Sequence, residues 1–226
     1  MSAKTARRWE QEYTCRGIPS SYKAQPSEPV LIGLKALRAR HYDGLRSLDL
    51  GCGRGRNSFF LADKGFEAHC LDFVPSLIRE IKAKAKKRKG KGKIIPVCRD
   101  VTRKWPYPSG FFDFAIDIYC YKHQTKKAAR KKYRAELRRV LKKDAVYVLS
   151  LASPRDGFYG ALPRKPDNVV LDPCTGIASA LFTRADVERE LRGSFRLVKF
   201  ARKRKRGSMH GKNYMRETLI FVFRKR

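Results

Sequence analysis

The sequence has few acidic residues and no long apolar segment. Its 226 residues include 21 Asp and Glu against 53 Lys and Arg, a formal net charge of +32. No apolar run approaches the roughly 20 residues that a membrane-spanning helix needs. The segment Met1–Glu10 is polar and lacks the apolar core of a signal peptide. We therefore expect a cytoplasmic protein with no membrane partner.

The sequence also lacks paired cysteines. Its six cysteines form no Cys-x-x-Cys motif, and several lie in apolar runs typical of strands. Scattered cysteines of this kind favour small buried hydrophobic side chains in a reducing compartment over disulfides or zinc ligands. We therefore predict no metal site. The cysteines are Cys15, Cys52, Cys70, Cys98, Cys120 and Cys174.

The positive charge is concentrated in two runs, Lys82–Lys93 and Lys199–Arg206. A positive field attracts polyanions and speeds their encounter with the protein, so a nucleic acid is one candidate partner. The same charge is expected of a solvated surface in an organism whose proteins are generally basic. Both interpretations stay open at this point.

Short apolar segments alternate with helical patterns from residue 45 onward, which predicts an α/β fold with a parallel sheet covered by helices on both faces. The predicted strands are 45–50, 66–71, 94–98, 112–118 and 145–151. Two further strands, 195–200 and 218–223, are joined by a basic linker, 201–217, and are expected to be antiparallel neighbours.

Two segments lie outside this alternation. Residues 1–43 form an N-terminal arm with a predicted helix at 30–39, which is expected either to cover a site or simply to pack. Residues 153–182 are rich in proline and glycine and are predicted as an irregular insertion, whose length favours a lid over a substrate. We interpret the whole of 1–226 as a single domain.

The chain is organised around a glycine-rich turn. A predicted buried strand ends at Leu50, and Gly51, Gly53 and Gly55 follow just before a helical segment. Glycines at such a turn let a ligand approach the backbone closely, and the next helix directs its first N–H groups toward that ligand. The pattern is typical of a loop that binds a nucleotide cofactor.

Acidic residues lie in or at the end of four predicted strands. Asp49 lies in the first of these strands. Asp72, Asp100 and Asp117 lie at the ends of the second, third and fourth strands. Open α/β sheets bind ligands at the carboxyl ends of their strands, so the four acids predict one cofactor site. Asp72 lies 21 positions after Gly51, where a carboxylate can accept hydrogen bonds from ribose hydroxyls.

These residues resemble the class I S-adenosylmethionine-dependent methyltransferases. Segment 48–57, Leu-Asp-Leu-Gly-Cys-Gly-Arg-Gly-Arg-Asn, resembles the first motif of that family. Segment 56–66 is similar to the tellurite-resistance-type and related small-molecule methyltransferases. The resemblance implies S-adenosylmethionine as cofactor. It also implies a Rossmann-like, doubly wound sheet of seven strands in the order 3-2-1-4-5-7-6, with strand seven antiparallel.

The resemblance implies a role for each matching residue. Asp49 and the turn would hold the methionine end of the cofactor, Asp72 the ribose hydroxyls, and Asp100 the adenine amino group. Asp117 would lie near the sulfonium, and Tyr13 would close over the cofactor. The implied contacts are Tyr13, Asp49, Gly51, Cys52, Gly53, Asn57, Asp72, Phe73, Asp100, Val101, Asp117 and Ile118.

The same resemblance indicates a simple mechanism. A sulfonium methyl is already activated, so the enzyme mainly aligns nucleophile, methyl carbon and sulfur, and excludes water. A general base is needed only where the acceptor starts protonated, and His123, just beyond strand four, is the predicted candidate. A packed loop histidine is the alternative interpretation.

The substrate is less determined than the cofactor. No Asn-Pro-Pro-Tyr or Asp-Pro-Pro-Tyr follows strand four, so the usual signature for methylating adenine amines is missing. We favour a small-molecule substrate, because segment 56–66 matches such enzymes and no RNA domain is appended. An RNA- or ribosome-directed methyltransferase is the alternative that the charge favours. A binding protein without catalysis is the third hypothesis, and the four acids argue against it.

Overall fold

The computed structural model describes residues 3–15 and 22–226 and alternates strands with helices over most of the chain. The helices are α1 (Ala3–Thr14), α2 (Glu28–Leu37), α3 (Arg56–Asp63), α4 (Pro75–Lys87), α5 (Lys127–Val140) and α6 (Arg184–Leu191). The strands are β1 (Arg46–Leu50), β2 (Glu67–Asp72), β3 (Ile94–Cys98), β4 (Phe112–Ile118), β5 (Leu141–Ala152), β6 (Arg164–Lys165), β7 (Val169–Leu171), β8 (Ala178–Ala180), β9 (Phe195–Met209) and β10 (Lys212–Lys225).

Seven of these strands form one sheet in the order β3-β2-β1-β4-β5-β10-β9. Neighbours from β3 to β5 are parallel, whereas β10 pairs antiparallel with both β5 and β9. Within this sheet β9 and β10 are the sixth and seventh strands of the chain, so the predicted order and the antiparallel seventh strand are confirmed. Because β1 to β4 are parallel and adjacent, their carboxyl ends meet at one edge of the sheet.

Helices cover both faces of this sheet, as predicted. Val146 and Val148 of β5 join the core that includes α2 and α3. Tyr147 and Leu149, which alternate with them, join the core that includes α5 and α6. All four side chains are fully buried, and burial of each such side chain stabilises the fold by about 1.5–3 kcal/mol. The central strands are therefore fixed from two sides, which in turn fixes the loops at their carboxyl ends.

The last two strands form a much longer hairpin than the sequence predicts. The prediction of a linker at 201–217 is wrong. These residues extend β9 and β10, which stay paired as far as Met209 opposite Lys212. His210 and Gly211 form the turn, with φ of 47° and 76°, and two residues with positive φ suit the twist of a hairpin. The Lys and Arg residues of β9 do not alternate with apolar residues, so they give no strand pattern. Their strand conformation comes from pairing with β10.

The insertion 153–182 contains a small antiparallel sheet in the order β6-β7-β8. The prediction of an irregular segment is therefore wrong there, because strands of two or three residues are too short to show a pattern. The segment 172–177 forms the turn between β7 and β8. In it the Gly176 N–H donates to the Asp172 carbonyl at 2.8 Å, and the Cys174 N–H donates to the Asp172 carboxylate at 2.9 Å. Thr183 then caps α6, with its side chain accepting from the Asp186 N–H.

The cysteines are more exposed than predicted. Cys70 is buried in β2, whereas Cys15, Cys98 and Cys174 are exposed. Cys52 and Cys120 are half-buried in loops, and all six thiols are free. The prediction of buried cysteines fails because most of them lie at strand ends and in turns rather than inside strands.

The N-terminal helix α1 packs against the insertion and against the loop after β4. The Arg8 guanidinium donates to the Gly176 carbonyl at 2.6 Å, and the Trp9 ring meets His123 edge-on at 4.7 Å between centroids. Residues 1, 2 and 16–21 of the arm lie outside the described part of the chain. Within the described part, no helix combines the length and the apolar character that crossing a membrane requires.

Candidate active site

The glycine-rich turn after β1 requires glycine at two positions. Gly51 and Gly53 have φ of 67° and 56°, in the left-handed region that glycine adopts without steric cost. A Cβ at Gly51 would lie 2.7 Å from the Cβ of Cys120, and a Cβ at Gly53 would lie 2.6 Å from the Tyr13 hydroxyl. Cys52 lies half-buried between them. The turn therefore touches the loop after β4 on one side and α1 on the other.

Asp72, at the end of β2, ties β2 to this turn. It is 5% exposed, and it accepts hydrogen bonds from the N–H groups of Gly53 at 2.9 Å and Val74 at 3.0 Å. Burial raises the pKa of the Asp72 carboxyl to about 6, although these N–H groups act in the opposite direction. The two bonds use different oxygens, so each oxygen keeps an acceptor position. Asp72 can therefore accept two further hydrogen bonds, and the half-buried Phe73 follows it directly.

Asp49 is 2% exposed, and the Ser58 hydroxyl donates to it at 2.6 Å. Burial, with a further contribution from Asp72, raises the pKa of Asp49 to about 7 against the effect of the Ser58 hydrogen bond. Asn57 is also buried, and its side-chain oxygen accepts from the Ser27 N–H at 2.9 Å. The predicted contact Asn57 thus fastens the segment before α2 to the first turn of α3.

Asp100 and Val101 follow β3, the strand beside β2. The half-buried Asp100 carboxylate accepts from the N–H and the hydroxyl of Thr102, both at 2.8 Å. Val101 is 5% exposed, and its carbonyl accepts from the Trp105 indole at 3.1 Å. These bonds fix the shape of the loop at the same sheet edge as Asp72.

Asp117, at the end of β4, has no exposed surface. Its Oδ1 accepts from the N–H groups of Cys120 at 2.8 Å and Tyr121 at 3.1 Å, and its Oδ2 accepts from the Tyr133 hydroxyl at 2.5 Å. Burial raises the pKa of this carboxyl to about 7. Both oxygens of the Asp117 carboxylate therefore have hydrogen-bond donors within the protein. Through these bonds the carboxylate fixes the turn that follows the half-buried Ile118.

His123 is held between the arm and the insertion. Its Nδ1 lies 2.9 Å from the Ala178 carbonyl, so this nitrogen carries the proton and donates it. Burial, and then the neighbouring Lys122, lowers the pKa of His123 to about 3. Such a weak base is poorly matched to proton removal near neutral pH. The contacts favour a neutral, anchoring imidazole, and the general-base role stays a prediction.

Lys122 is a buried amine that sequence reasoning missed. It is 1% exposed, and its Nζ makes no hydrogen bond to any described residue. The Nζ lies 3.4 Å from the centroid of the Tyr159 ring and 5.5 Å from that of Tyr119. Burial and the Arg216 charge lower its pKa well below the usual value, while Asp156 acts in the opposite direction. One lysine among 53 basic residues gives no signal in the sequence.

Tyr119 presents a strained backbone beside this lysine. Its φ is 74°, which is uncommon for a residue that is not glycine and is typical of functional sites. Its hydroxyl lies 2.6 Å from the Thr218 hydroxyl in β10. The strained residue therefore joins the end of β4 to the hairpin and brings its ring alongside Lys122.

A buried ion pair fastens the insertion over this region. Asp156 is 1% exposed and accepts from the Arg216 guanidinium at 2.9 and 3.1 Å. It also accepts from the N–H groups of Phe158, Tyr159 and Glu217. The Tyr159 ring over Lys122 is thus held by a charge-assisted network rather than by a loose loop.

Comparisons with known proteins agree with this geometry. Residues 48–144 match a family model described as a methyltransferase domain. A S-adenosylmethionine-dependent methyltransferase from Methanosarcina mazei is 21% identical, with 89% of this chain and 99% of that chain covered and a TM-score of 0.70. A protein from Pyrococcus horikoshii OT3 is 21% identical, with 93% and 97% covered and a TM-score of 0.69. No curated protein sequence matches the chain.

A third solved structure contains ligands. It is the 1,6-didemethyltoxoflavin-N1-methyltransferase of Burkholderia thailandensis, with bound 1,6-didemethyltoxoflavin and S-adenosylhomocysteine. It is 20% identical, with 99% of this chain and 88% of that chain covered and a TM-score of 0.70.

The sheet order and the loops at its carboxyl edge define a class I, Rossmann-like methyltransferase fold. The match of residues 48–144 to a methyltransferase domain and the fold shared with S-adenosylmethionine-dependent methyltransferases are together consistent with that class. The predicted family and the predicted cofactor, S-adenosylmethionine, are confirmed at this level. The role of each individual residue stays a prediction.

Proposed function

We propose that this protein transfers a methyl group from S-adenosylmethionine to a small molecule. The observation that carries the proposal is the contact between the glycine-rich turn and the loop that bears the buried Lys122. Gly51 lies against Cys120, and Cys120 belongs to the same short loop as Tyr119 and Lys122. Lys122 and its aromatic neighbours lie beneath the insertion, which suits an enclosed acceptor better than a polymer.

The described residues fit the cofactor. Gly51 and Gly53 let Cys120 and Tyr13 approach the turn closely, and Asp72 keeps two acceptor positions for ribose hydroxyls. Asp49 adds a second buried carboxyl close to the turn. When bound, S-adenosylmethionine supplies a sulfonium methyl already activated for displacement. The protein's own task is then to hold the reactants in line and to exclude water.

Lys122 is our candidate for handling a proton on the acceptor side. An amine whose pKa is lowered by burial exchanges its proton closer to neutral pH than an ordinary lysine does. The unpaired Nζ is therefore able to accept a proton from an acceptor O–H or N–H group. The Tyr119 and Tyr159 rings beside it suit a flat acceptor, since aromatic faces pack on flat rings.

The RNA-directed alternative has less support, because the two basic runs lie at opposite sides of the sheet. Lys82–Lys93 lies in the second half of α4 and the loop before β3, at one edge strand, whereas Lys199–Arg206 lies in β9, at the other. Six strand spacings separate these edges, about 30 Å. A basic surface continuous with the site entrance would favour RNA, whereas the two runs lie at opposite edge strands of the sheet.

The test is transfer of a labelled methyl group from S-adenosylmethionine into fractionated metabolite, RNA and protein pools. We expect the label in the low-molecular-mass fraction, and no label there with an Asp72→Ala variant. Label in RNA would instead support the alternative. A protein that binds the cofactor but labels no pool would contradict the methyltransferase proposal.

A further inference from the structure

Three side chains with metal-ligating atoms meet where the insertion touches the β9–β10 turn. Asp172 and Cys174 lie in the turn between β7 and β8, and His210 is the first residue of the hairpin turn. A carboxylate oxygen, the thiol sulfur and an imidazole nitrogen all lie within 4.8 Å of one another. Their separation along the chain hides this cluster in the sequence, where we predicted no metal.

Two of the three side chains are already oriented toward each other. Asp172 is 6% exposed, and its Oδ2 lies 2.8 Å from the Nε2 of His210. Its Oδ1 accepts from the Cys174 N–H. His210 has a φ of 47°, and its ring packs on Phe158 at 5.5 Å between centroids. A left-handed backbone at a non-glycine residue thus directs an imidazole at a buried carboxylate.

Cys174 adds a sulfur ligand to the oxygen of Asp172 and the nitrogen of His210. Its thiol is free and exposed, so rotation of the side chain can bring the sulfur inward at little cost. Zinc binds sulfur at about 2.3 Å and nitrogen or oxygen at about 2.0–2.2 Å, which places tetrahedral ligands about 3.3–3.6 Å apart. The Asp172 and His210 ligand atoms, now 2.8 Å apart, would therefore separate by about 0.5 Å, and the other ligand pairs, within 4.8 Å, would approach by at most about 1.5 Å.

We propose that Asp172, Cys174 and His210 bind one zinc ion. A thiolate with an imidazole selects zinc over magnesium or calcium, which prefer oxygen ligands. On binding, the Cys174 thiol releases its proton to solvent, the sulfur donates an electron pair to the ion, and no group is oxidised or reduced. The imidazole binds through Nε2, the nitrogen that now faces Asp172.

The position of the ion gives it a structural role. It would join the β7–β8 turn of the insertion to the tip of the β9–β10 hairpin. Zinc would thus fasten the insertion, which carries Tyr159 over Lys122, with a water molecule in the fourth position.

The test is titration of the chelator-treated, full-length protein with Co²⁺, followed by displacement with Zn²⁺. Thiolate-bound Co²⁺ gives a charge-transfer absorption in the near ultraviolet, which reports the ligand type directly. We expect saturation at one equivalent and a rise in melting temperature with Zn²⁺. Cys174→Ser should abolish the band, and Cys98→Ser, at an exposed thiol in β3, should retain it.

A second variant tests the imidazole. His210→Asn removes the ring but tolerates the left-handed backbone, and we expect it to weaken Co²⁺ binding at least about tenfold. Circular dichroism establishes that each variant is folded. A wild-type protein without the charge-transfer band, or a band that persists in Cys174→Ser, overturns the proposal and leaves the methyltransferase proposal untouched.

Discussion

Replacing Asp72 with alanine should weaken S-adenosylmethionine binding by more than tenfold. The carboxylate has two free acceptor positions, and a hydrogen bond to a charged group contributes about 1.5–3 kcal/mol. Loss of one such bond at the low end already reduces the affinity about tenfold, and loss of two about a hundredfold. The variant also leaves the N–H groups of Gly53 and Val74 without their acceptor, which costs stability of about 1–3 kcal/mol for each.

Isothermal titration calorimetry measures the affinity, and urea denaturation measures the stability separately. Asp113→Ala is the matched control, because Asp113 also accepts a backbone hydrogen bond, from Arg46 at 3.0 Å, but lies at the amino end of β4. The control should lose stability and keep its cofactor affinity. If Asp72→Ala binds the cofactor within twofold of the wild type, the assignment of Asp72 to the ribose is refuted.

Three further variants test the neighbouring groups. Lys122→Met should lower turnover on the identified acceptor about a hundredfold with unchanged cofactor affinity in calorimetry, and full turnover would exclude proton transfer by Lys122. His123→Ala should keep normal cofactor affinity but lower turnover in the same assay, because the Ala178 contact is lost; a full-rate variant would reduce His123 to packing. Burial raises the pKa of Asp117 to about 7, so its contribution to stability is present at low pH and is lost as the pH rises through that value. Urea denaturation of Asp117→Asn from about pH 5 to about pH 8 should show the variant gaining stability relative to the wild type, and a constant difference would contradict the raised pKa.

The central sheet could be predicted because its signals are local. β1 and β4 are short apolar segments buried on both faces, and such strands show in the sequence without any knowledge of their neighbours. The glycine turn is local too, since φ values of 67° and 56° at Gly51 and Gly53 demand glycine whatever lies nearby. The strand order itself came from the family resemblance.

The rest of the site depends on contacts between distant segments. The burial of Lys122 depends on Tyr159, which belongs to the insertion and covers it. No residue near Lys122 in the sequence indicates that contact. The same holds for Asp172 and His210, which meet only because β9 extends far beyond its predicted end. A basic strand without apolar alternation obtains its structure from its partner, and sequence periodicity cannot reveal such a strand.

The most direct test of where the cofactor binds is a crystal structure of the protein with S-adenosylhomocysteine. We predict both ribose hydroxyls within about 2.7–3.2 Å of the Asp72 carboxylate, with the amino-acid end of the ligand over the Gly51–Gly53 turn. A ligand bound elsewhere, or a ribose out of hydrogen-bonding reach of Asp72, would contradict this account of the site.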